Sequence, residues 1–137
     1  MAEFVWNSRK LFRVLFETQA NFRLHRASKK TIRLKEKTVA AKLLDLSAGG
    51  CGLESPSFLP AGVKLNIFLK RDLLGKEGRG KHSKITGVIR TSRQLPNRKY
   101  RLGVQFEKIS SVDLRLIRTL VEEQERRDEK RITFGQP

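Results

Sequence analysis

The chain of 137 residues is long enough for one domain with a hydrophobic core and too short for two domains and a linker. Its net charge of +16, from 30 basic and 14 acidic residues, favours partners that carry phosphate or other negative charge. One cysteine excludes an intrachain disulfide, and one cysteine with two histidines excludes a four-ligand His/Cys zinc site. The lack of an apolar run of ~18 residues excludes a transmembrane helix. We expect a cytoplasmic protein without a secretory signal, a metal or a cofactor.

Several segments alternate apolar and polar residues with the period of two that is typical of β-strands. In the first of them, Phe16, Ala20 and Phe22 share one face, and Glu17 and Gln19 share the other. The predicted strands are residues 14–26, 31–35, 38–46, 51–54, 63–70, 84–91 and 100–106. Polar turns, several of which contain glycine or proline, separate them.

After residue 110 the apolar period changes to that of an α-helix. The apolar stripe consists of Val112, Ile117, Leu120 and Val121. Ser110 and Asp113 resemble a capping box in which Asp replaces the usual Glu. Beyond Val121 the helix has no apolar face, so we expect residues 122–137 to form a polar helical extension and tail.

Six or more short strands followed by one helix predict an all-β fold with a C-terminal helix. A small antiparallel β-barrel is expected, because closure of the sheet removes its exposed edges. Residues 1–121 should form this single domain, and its N-terminal part should be an arm that carries arginines.

No set of residues in the sequence indicates catalysis. Gly75, Gly80 and Lys81 have the spacing of a phosphate-binding P-loop, but a strand instead of a helix follows them. Cys51 begins an apolar strand, which favours a structural cysteine over a nucleophile. We therefore expect a protein that is not an enzyme.

Two short motifs indicate binding. Arg9 and Arg13 form an Arg-x-x-x-Arg motif before the first predicted strand. Asp45, Ser47 and Gly50 form an Asp-x-Ser-x-x-Gly motif at the turn between two strands. Each motif by itself is ordinary, since a basic chain produces such arginine spacings by chance and Asp, Ser and Gly are common in turns. Together, in this order and in a small β-rich chain, they are far more specific.

With these motifs, the chain resembles the PilZ domain family over about residues 8–121. Residues 85–90 and 100–106 look like the final paired strands of that family, and the second contains its usual Gly-Val-x-Phe. The resemblance implies a six-stranded antiparallel β-barrel that binds the bacterial second messenger cyclic di-GMP. It assigns ligand-binding positions to Arg9, Arg13, Asp45, Ser47 and Gly50, and Arg90 occupies a strand position near the ligand in similar proteins.

The chemistry of these residue types suits that ligand. Guanidinium groups bond to phosphate oxygens or to the O6/N7 edge of guanine, and they stack on bases. Asp45 can accept hydrogen bonds from guanine N–H groups, Ser47 offers a hydroxyl, and Gly50 permits close approach of the backbone. Many relatives begin the arm with two consecutive arginines, whereas Ser8 precedes Arg9 here, which removes one contact.

The resulting hypothesis is a stand-alone receptor whose arm becomes ordered on binding cyclic di-GMP and which then acts on a downstream protein partner. A first alternative is a nucleic-acid-binding barrel, which the net charge of +16 favours. Against it, most aromatic residues fall in core phases or at the termini and form no exposed stacking platform. A second alternative is a PilZ-like adaptor that binds proteins and has lost its ligand.

Overall fold

The computed structural model describes residues 14–28, 32, 34, 36–70 and 82–135, with side chains described from residue 19 to residue 126 within these ranges. Arg9 and Arg13, and the segment with Gly75, Gly80 and Lys81, lie outside the described residues. No helix in the described ranges combines the length and the apolar character that a membrane crossing requires.

Six strands and one long helix make up the described fold. They are β1 (Val14–Leu24), β2 (Val39–Ser47), β3 (Gly50–Ser55), β4 (Lys64–Lys70), β5 (His82–Gln94), β6 (Tyr100–Lys108) and α1 (Ser111–Gly135). The strands close into a barrel in the order β1-β2-β3-β6-β5-β4, and all neighbouring pairs are antiparallel. The predicted all-β barrel with a C-terminal helix is therefore confirmed.

The core of the barrel follows from the alternation of each strand. In β4, Leu65, Ile67 and Leu69 are fully buried, while the residues between them are partly exposed. Helix α1 adds Leu116 and Ile117 to the same core, next to β1 and β2. Burial of an aliphatic side chain contributes roughly 1.5–3 kcal/mol, so these faces set the register in which the strands pair.

Helix α1 begins at the predicted cap. The backbone N–H of Asp113 donates to Ser110 Oγ at 3.1 Å. The Asp113 carboxylate instead accepts a hydrogen bond from Ser83 Oγ of β5 at 2.8 Å, which fixes the first helical turn to the barrel. The helix continues to Gly135, and none of its described side chains beyond Val121 is buried. The domain boundary at residue 121 stays a prediction.

The strand predicted over residues 31–35 is wrong at its two described positions. Ile32 and Leu34 are partly buried against the core but belong to no strand. The chain makes a short 3-10 turn before them, and Ile32 N donates to Ser28 O at 3.2 Å. Ser28 Oγ in turn accepts from Lys64 N at 2.9 Å. Ser28 thus connects this segment with both Ile32 and the start of β4.

Candidate ligand-binding site

A concave cavity of about 640 Å³ lies on the outer face of the barrel across β2, β3, β6 and β5. We call it the site cavity. Its lining residues are Asp45, Ser47, Gly49, Gly50, Cys51, Arg90, Thr91, Arg93, Arg101, Gly103, Val104 and Gln105. It brings together four of the residues that the sequence predicted to bind ligand. The other two, Arg9 and Arg13, lie outside the described residues.

The floor of the site cavity is formed by glycines. Two rows of directly paired residues cross β2, β3 and β6 on this face. The rows are Asp45–Gly52–Gly103 and Ser47–Gly50–Gln105. Because three of these positions carry no side chain, the side chains of other residues can pass over them. The Asp45 and Arg101 side chains pass over Gly52, and Thr91 Oγ1 lies over Gly103.

Two irregularities in strand register aim the polar side chains into the site cavity. In β2 the register shifts between Leu43 and Asp45, so Leu43 and Leu46 are both buried in the core and Asp45 points outward. In β5 a similar shift between Ile89 and Thr91 directs Thr91 to the outer face. Uninterrupted alternation would have turned both Asp45 and Thr91 inward.

An ion pair spans the floor between β2 and β6. Arg101 Nη2 donates to Asp45 Oδ2 at 2.5 Å, and the two side chains are 25% and 6% exposed. The pair passes above Gly52 of β3, where a Cβ atom would lie 2.8 Å from both of these atoms. The glycine therefore leaves the space in which the two charges meet. Since Asp45 is nearly buried, Arg101 stabilises its negative charge.

Ser47 and Gly50 shape the hairpin that closes one side of the site cavity. Ser47 Oγ donates to Gly50 O at 3.2 Å across the turn between β2 and β3. A Cβ on Gly50 would collide with the carbonyl oxygen of Val104, so glycine allows β3 and β6 to approach at this point. The motif thus has a structural role in the turn, beside any role in binding.

The opposite side of the site cavity carries positive charge. Arg90 and Arg93 of β5 are exposed, and Arg90 Nε donates to Gln105 Oε1 at 2.6 Å. With Arg101 they place three guanidinium groups around the single carboxylate of Asp45. The site cavity therefore has an excess of positive charge and of hydrogen-bond donors, which suits a ligand with more than one negative group.

Arg93, Arg101 and Gln105 were not among the predicted site residues. The sequence contained a signal for two of them. Arg101 and Gln105 alternate with the core residues of the last predicted strand, so the alternation places them on its outer face. Only the pairing of β6 with β3 places them beside Asp45.

Cys51 lies in the wall between the site cavity and the core and is buried. Burial raises the pKa of its thiol well above the usual range, the negative charge of Asp45 raises it further, and Arg101 opposes the shift. The thiol therefore stays protonated at neutral pH. The burial of Cys51 agrees with a structural cysteine, which stays a prediction.

The chain is therefore a small closed β-barrel with a positively charged cavity on its outer face. The sequence model of the PilZ domain matches residues 17–123, so the chain belongs to the PilZ domain family. A search among curated proteins found none that matches.

Solved structures of PilZ proteins share the fold. The Bacillus subtilis inhibitor of motility, MotI/DgrA, superposes with a TM-score of 0.63 at 14% identity over 82% of this chain and 48% of its own. The PilZ domain of Escherichia coli YcgR with c-di-GMP gives 0.51 at 16% identity, over 88% of this chain and 94% of that one. The K. pneumonia MrkH–c-di-GMP complex gives 0.56 at 16%, over 87% and 52%. This chain thus spans about half of the MotI and MrkH chains.

Proposed function

We propose that this chain is a cytoplasmic receptor for cyclic di-GMP and that the ligand binds in the site cavity without a resident metal or cofactor. The observation that carries the proposal is that Asp45, Ser47, Gly50 and Arg90, selected from the sequence, surround one cavity with an excess of positive charge. Two structures of the same fold, the YcgR PilZ domain and MrkH, contain c-di-GMP.

The polar groups of the site cavity complement both parts of this ligand. Its two phosphates carry negative charge, and the guanidinium groups of Arg90, Arg93 and Arg101 can each make paired hydrogen bonds to phosphate oxygens. Its guanines present N–H donors on the Watson–Crick edge, for which Asp45 is an acceptor. A carboxylate can accept about four hydrogen bonds, so Asp45 can bond a guanine while it remains paired with Arg101.

The N-terminal arm completes the site in this proposal. β1 begins at Val14, which pairs with Leu46, the residue between Asp45 and Ser47. Arg13 is bonded to Val14, and Arg9 is five residues away, a reach of at most ~17 Å for an extended chain. Both arginines are therefore tethered within reach of the site cavity, although they lie outside the described residues.

Signalling then follows from ordering of the arm. The dianionic ligand supplies the negative charge that a segment with several basic residues lacks. Binding shifts the population of arm conformations, and the altered surface is recognised by a downstream protein partner. A PilZ-like adaptor without a ligand would have no use for so many convergent guanidinium groups, which favours the receptor.

Calorimetric titration with cyclic di-GMP tests the proposal. Separate titrations with GTP and with a short DNA duplex serve as comparisons. Arg90→Ala should weaken binding by about 1.5 kcal/mol or more, roughly tenfold, because it removes a charged hydrogen-bond donor. Arg118→Ala is the matched control, since Arg118 is equally charged and exposed but lies on α1. The absence of heat at saturating cyclic di-GMP, or equal losses in both variants, would contradict the proposal.

A further inference from the structure

A second concave surface lies across β1, β4 and β5. It consists of two hollows of about 440 and 460 Å³ that share His25, Asn66 and Lys84 as lining residues. It shares no lining residue with the site cavity. We call this surface the basic groove; its positively charged or titratable basic residues are Arg23, His25, Arg26, Lys37, Lys84 and Lys108. No described residue that lines it is acidic.

The charges of the basic groove are not neutralised by the barrel. Elsewhere, Lys64 pairs with Glu107 at 3.3 Å and Lys99 pairs with Glu54 at 3.7 Å. By contrast, none of the three lysines of the groove has an ion-pair partner in the described part of the chain. Their mutual repulsion decreases when an anion binds between them, so the groove attracts negatively charged partners.

The neutral polar side chains of the basic groove also present donors. Asn66 Oδ1 accepts from Thr86 Oγ1 at 2.9 Å, which leaves the N–H donors of its amide for a ligand. His25 Nδ1 accepts from Ala27 N at 3.1 Å, which leaves Nε2 as the donor atom of the ring. Both residues thus use their acceptor atoms within the protein. A lining of donors without carboxylates matches an acceptor-rich polyanion.

An arginine–aromatic pair lies within the same groove. The Arg23 guanidinium stands 5.5 Å from the centroid of the half-buried Phe68 ring, and Arg23 Nε donates to Thr38 Oγ1 at 2.8 Å. Arginine planes and aromatic rings are the groups on which nucleic-acid bases stack. An anionic membrane fits less well, because the exposed large apolar residues of the described chain, Phe58 and Val112, lie outside the groove.

We propose that the basic groove binds single-stranded nucleic acid. Lys37, Lys84 and Lys108 contact successive phosphates, and a base stacks at the Arg23–Phe68 pair. This site is separate from the site cavity, so the proposal does not depend on cyclic di-GMP binding. It assigns part of the positive charge of the chain to a defined surface.

Fluorescence anisotropy with a labelled oligothymidylate of about 12 nucleotides tests this proposal. The double variant Lys84→Ala/Lys108→Ala should weaken binding at least fivefold. It should also lower the slope of log K against log salt by about 1.4, since each lost phosphate contact with a single strand contributes about 0.7. The control Lys42→Ala/Arg118→Ala removes the same charge from exposed positions outside the groove and should leave both quantities unchanged.

Phe68→Leu separates stacking from charge. It should weaken binding about fivefold without changing the salt slope, because stacking releases no counterions. Cyclic di-GMP titrations of the groove variants should match the wild type. The proposal for the site cavity and the proposal for the basic groove are therefore tested independently of each other. Equal losses in both double variants, no oligonucleotide binding at physiological salt, or groove-dependent binding to phosphatidylglycerol vesicles in place of the oligonucleotide would each overturn the proposal.

Discussion

Asp45 and Arg101, which are 56 residues apart in the chain, form an ion pair across an intervening strand. The pair passes over Gly52 and connects β2 with β6 at the centre of the site cavity. It holds a nearly buried carboxylate and a guanidinium in a defined orientation toward each other. A site with polar groups that are already oriented loses less entropy on binding.

The first prediction tests the role of Gly52 as the space for this pair. Gly52→Ala would place a methyl group between Asp45 and Arg101, so the ion pair should separate. We expect a net loss of about 1 kcal/mol in the free energy of unfolding, because the gain from replacing glycine in a strand offsets part of the lost charged bond. Cyclic di-GMP affinity should fall as well, measured by calorimetry.

Arg101→Ala provides the control for Gly52→Ala. Once the guanidinium is absent, the added methyl group has no ion pair to separate. In the Arg101→Ala background, Gly52→Ala should therefore cause no further loss and should show only the gain from replacing glycine in a strand. Additive losses of stability and affinity in the double variant would show that Gly52 acts in some other way.

The strands could be predicted from the sequence because their alternation reflects burial on one face, as in β4. The same rule failed at Ile32 and Leu34, since alternation cannot reveal whether a neighbouring strand exists. The register shift before Asp45 was also invisible, because Leu43, Leu44 and Leu46 are equally apolar whichever of them faces the core.

The candidate site was predicted only in part. The turn motif could be found because its residues are close in sequence, but the partner of Asp45 could not. Arg101 reaches Asp45 only through the pairing of β3 with both β2 and β6, and sequence patterns do not specify strand order. Gly52 had no distinguishing feature in the sequence, since its importance depends on what lies above it.

The second prediction concerns the hydrogen bond by which Ser83 of the barrel holds Asp113 of α1. Ser83 is fully buried, and its hydroxyl donates to the buried Asp113 carboxylate at 2.8 Å. Ser83→Ala should lower the free energy of unfolding by about 2 kcal/mol, because it removes a hydrogen bond to a charged group. Amide exchange in the first turn of α1 should become faster.

Ser92 provides a matched control in the same strand. Its Oγ atom is buried without a hydrogen-bond partner among the described residues, so Ser92→Ala removes a group that gains nothing from folding. Urea denaturation should show no loss of stability for this variant. Equal effects of the two substitutions would contradict a specific contribution from the Ser83–Asp113 bond.

The third prediction is a pH dependence that arises from Cys51. Burial, together with the Asp45 charge, raises the pKa of the Cys51 thiol in the folded state. The folded state therefore retains the thiol proton at pH values where the unfolded state loses it. Stability is unaffected below the ordinary thiol pKa and should fall by about 1.4 kcal/mol per pH unit above it.

Urea denaturation between about pH 8 and about pH 10 measures this effect, with Cys51→Ala as the reference. The wild type should lose stability more steeply than the variant as the pH rises, whatever the difference between them at neutral pH. Parallel curves would mean that ionisation of the thiol is not linked to folding.

The fourth prediction concerns the N-terminal arm. Residues 1–13 contain Arg9, Lys10 and Arg13 but only one acidic residue, Glu3, so their charges repel one another until an anion binds. In the proposed function, cyclic di-GMP places its two phosphates in the site cavity, beside the start of β1. Hydrogen exchange at residues 9–14 should therefore slow when the ligand is added.

Arg9→Ala and Arg13→Ala should each weaken cyclic di-GMP binding by about 1.5–3 kcal/mol, the range for hydrogen bonds to charged groups. At equal occupancy of the ligand, each variant should also reduce the slowing of exchange in the arm. Residues 100–106 serve as the internal control, because β6 is paired on both sides within the closed barrel and its protection should change little. Equal protection of residues 9–14 with and without bound ligand would remove ordering of the arm from the mechanism. The signal would then have to arise at the site cavity itself, through movement of the side chains around the Asp45–Arg101 pair.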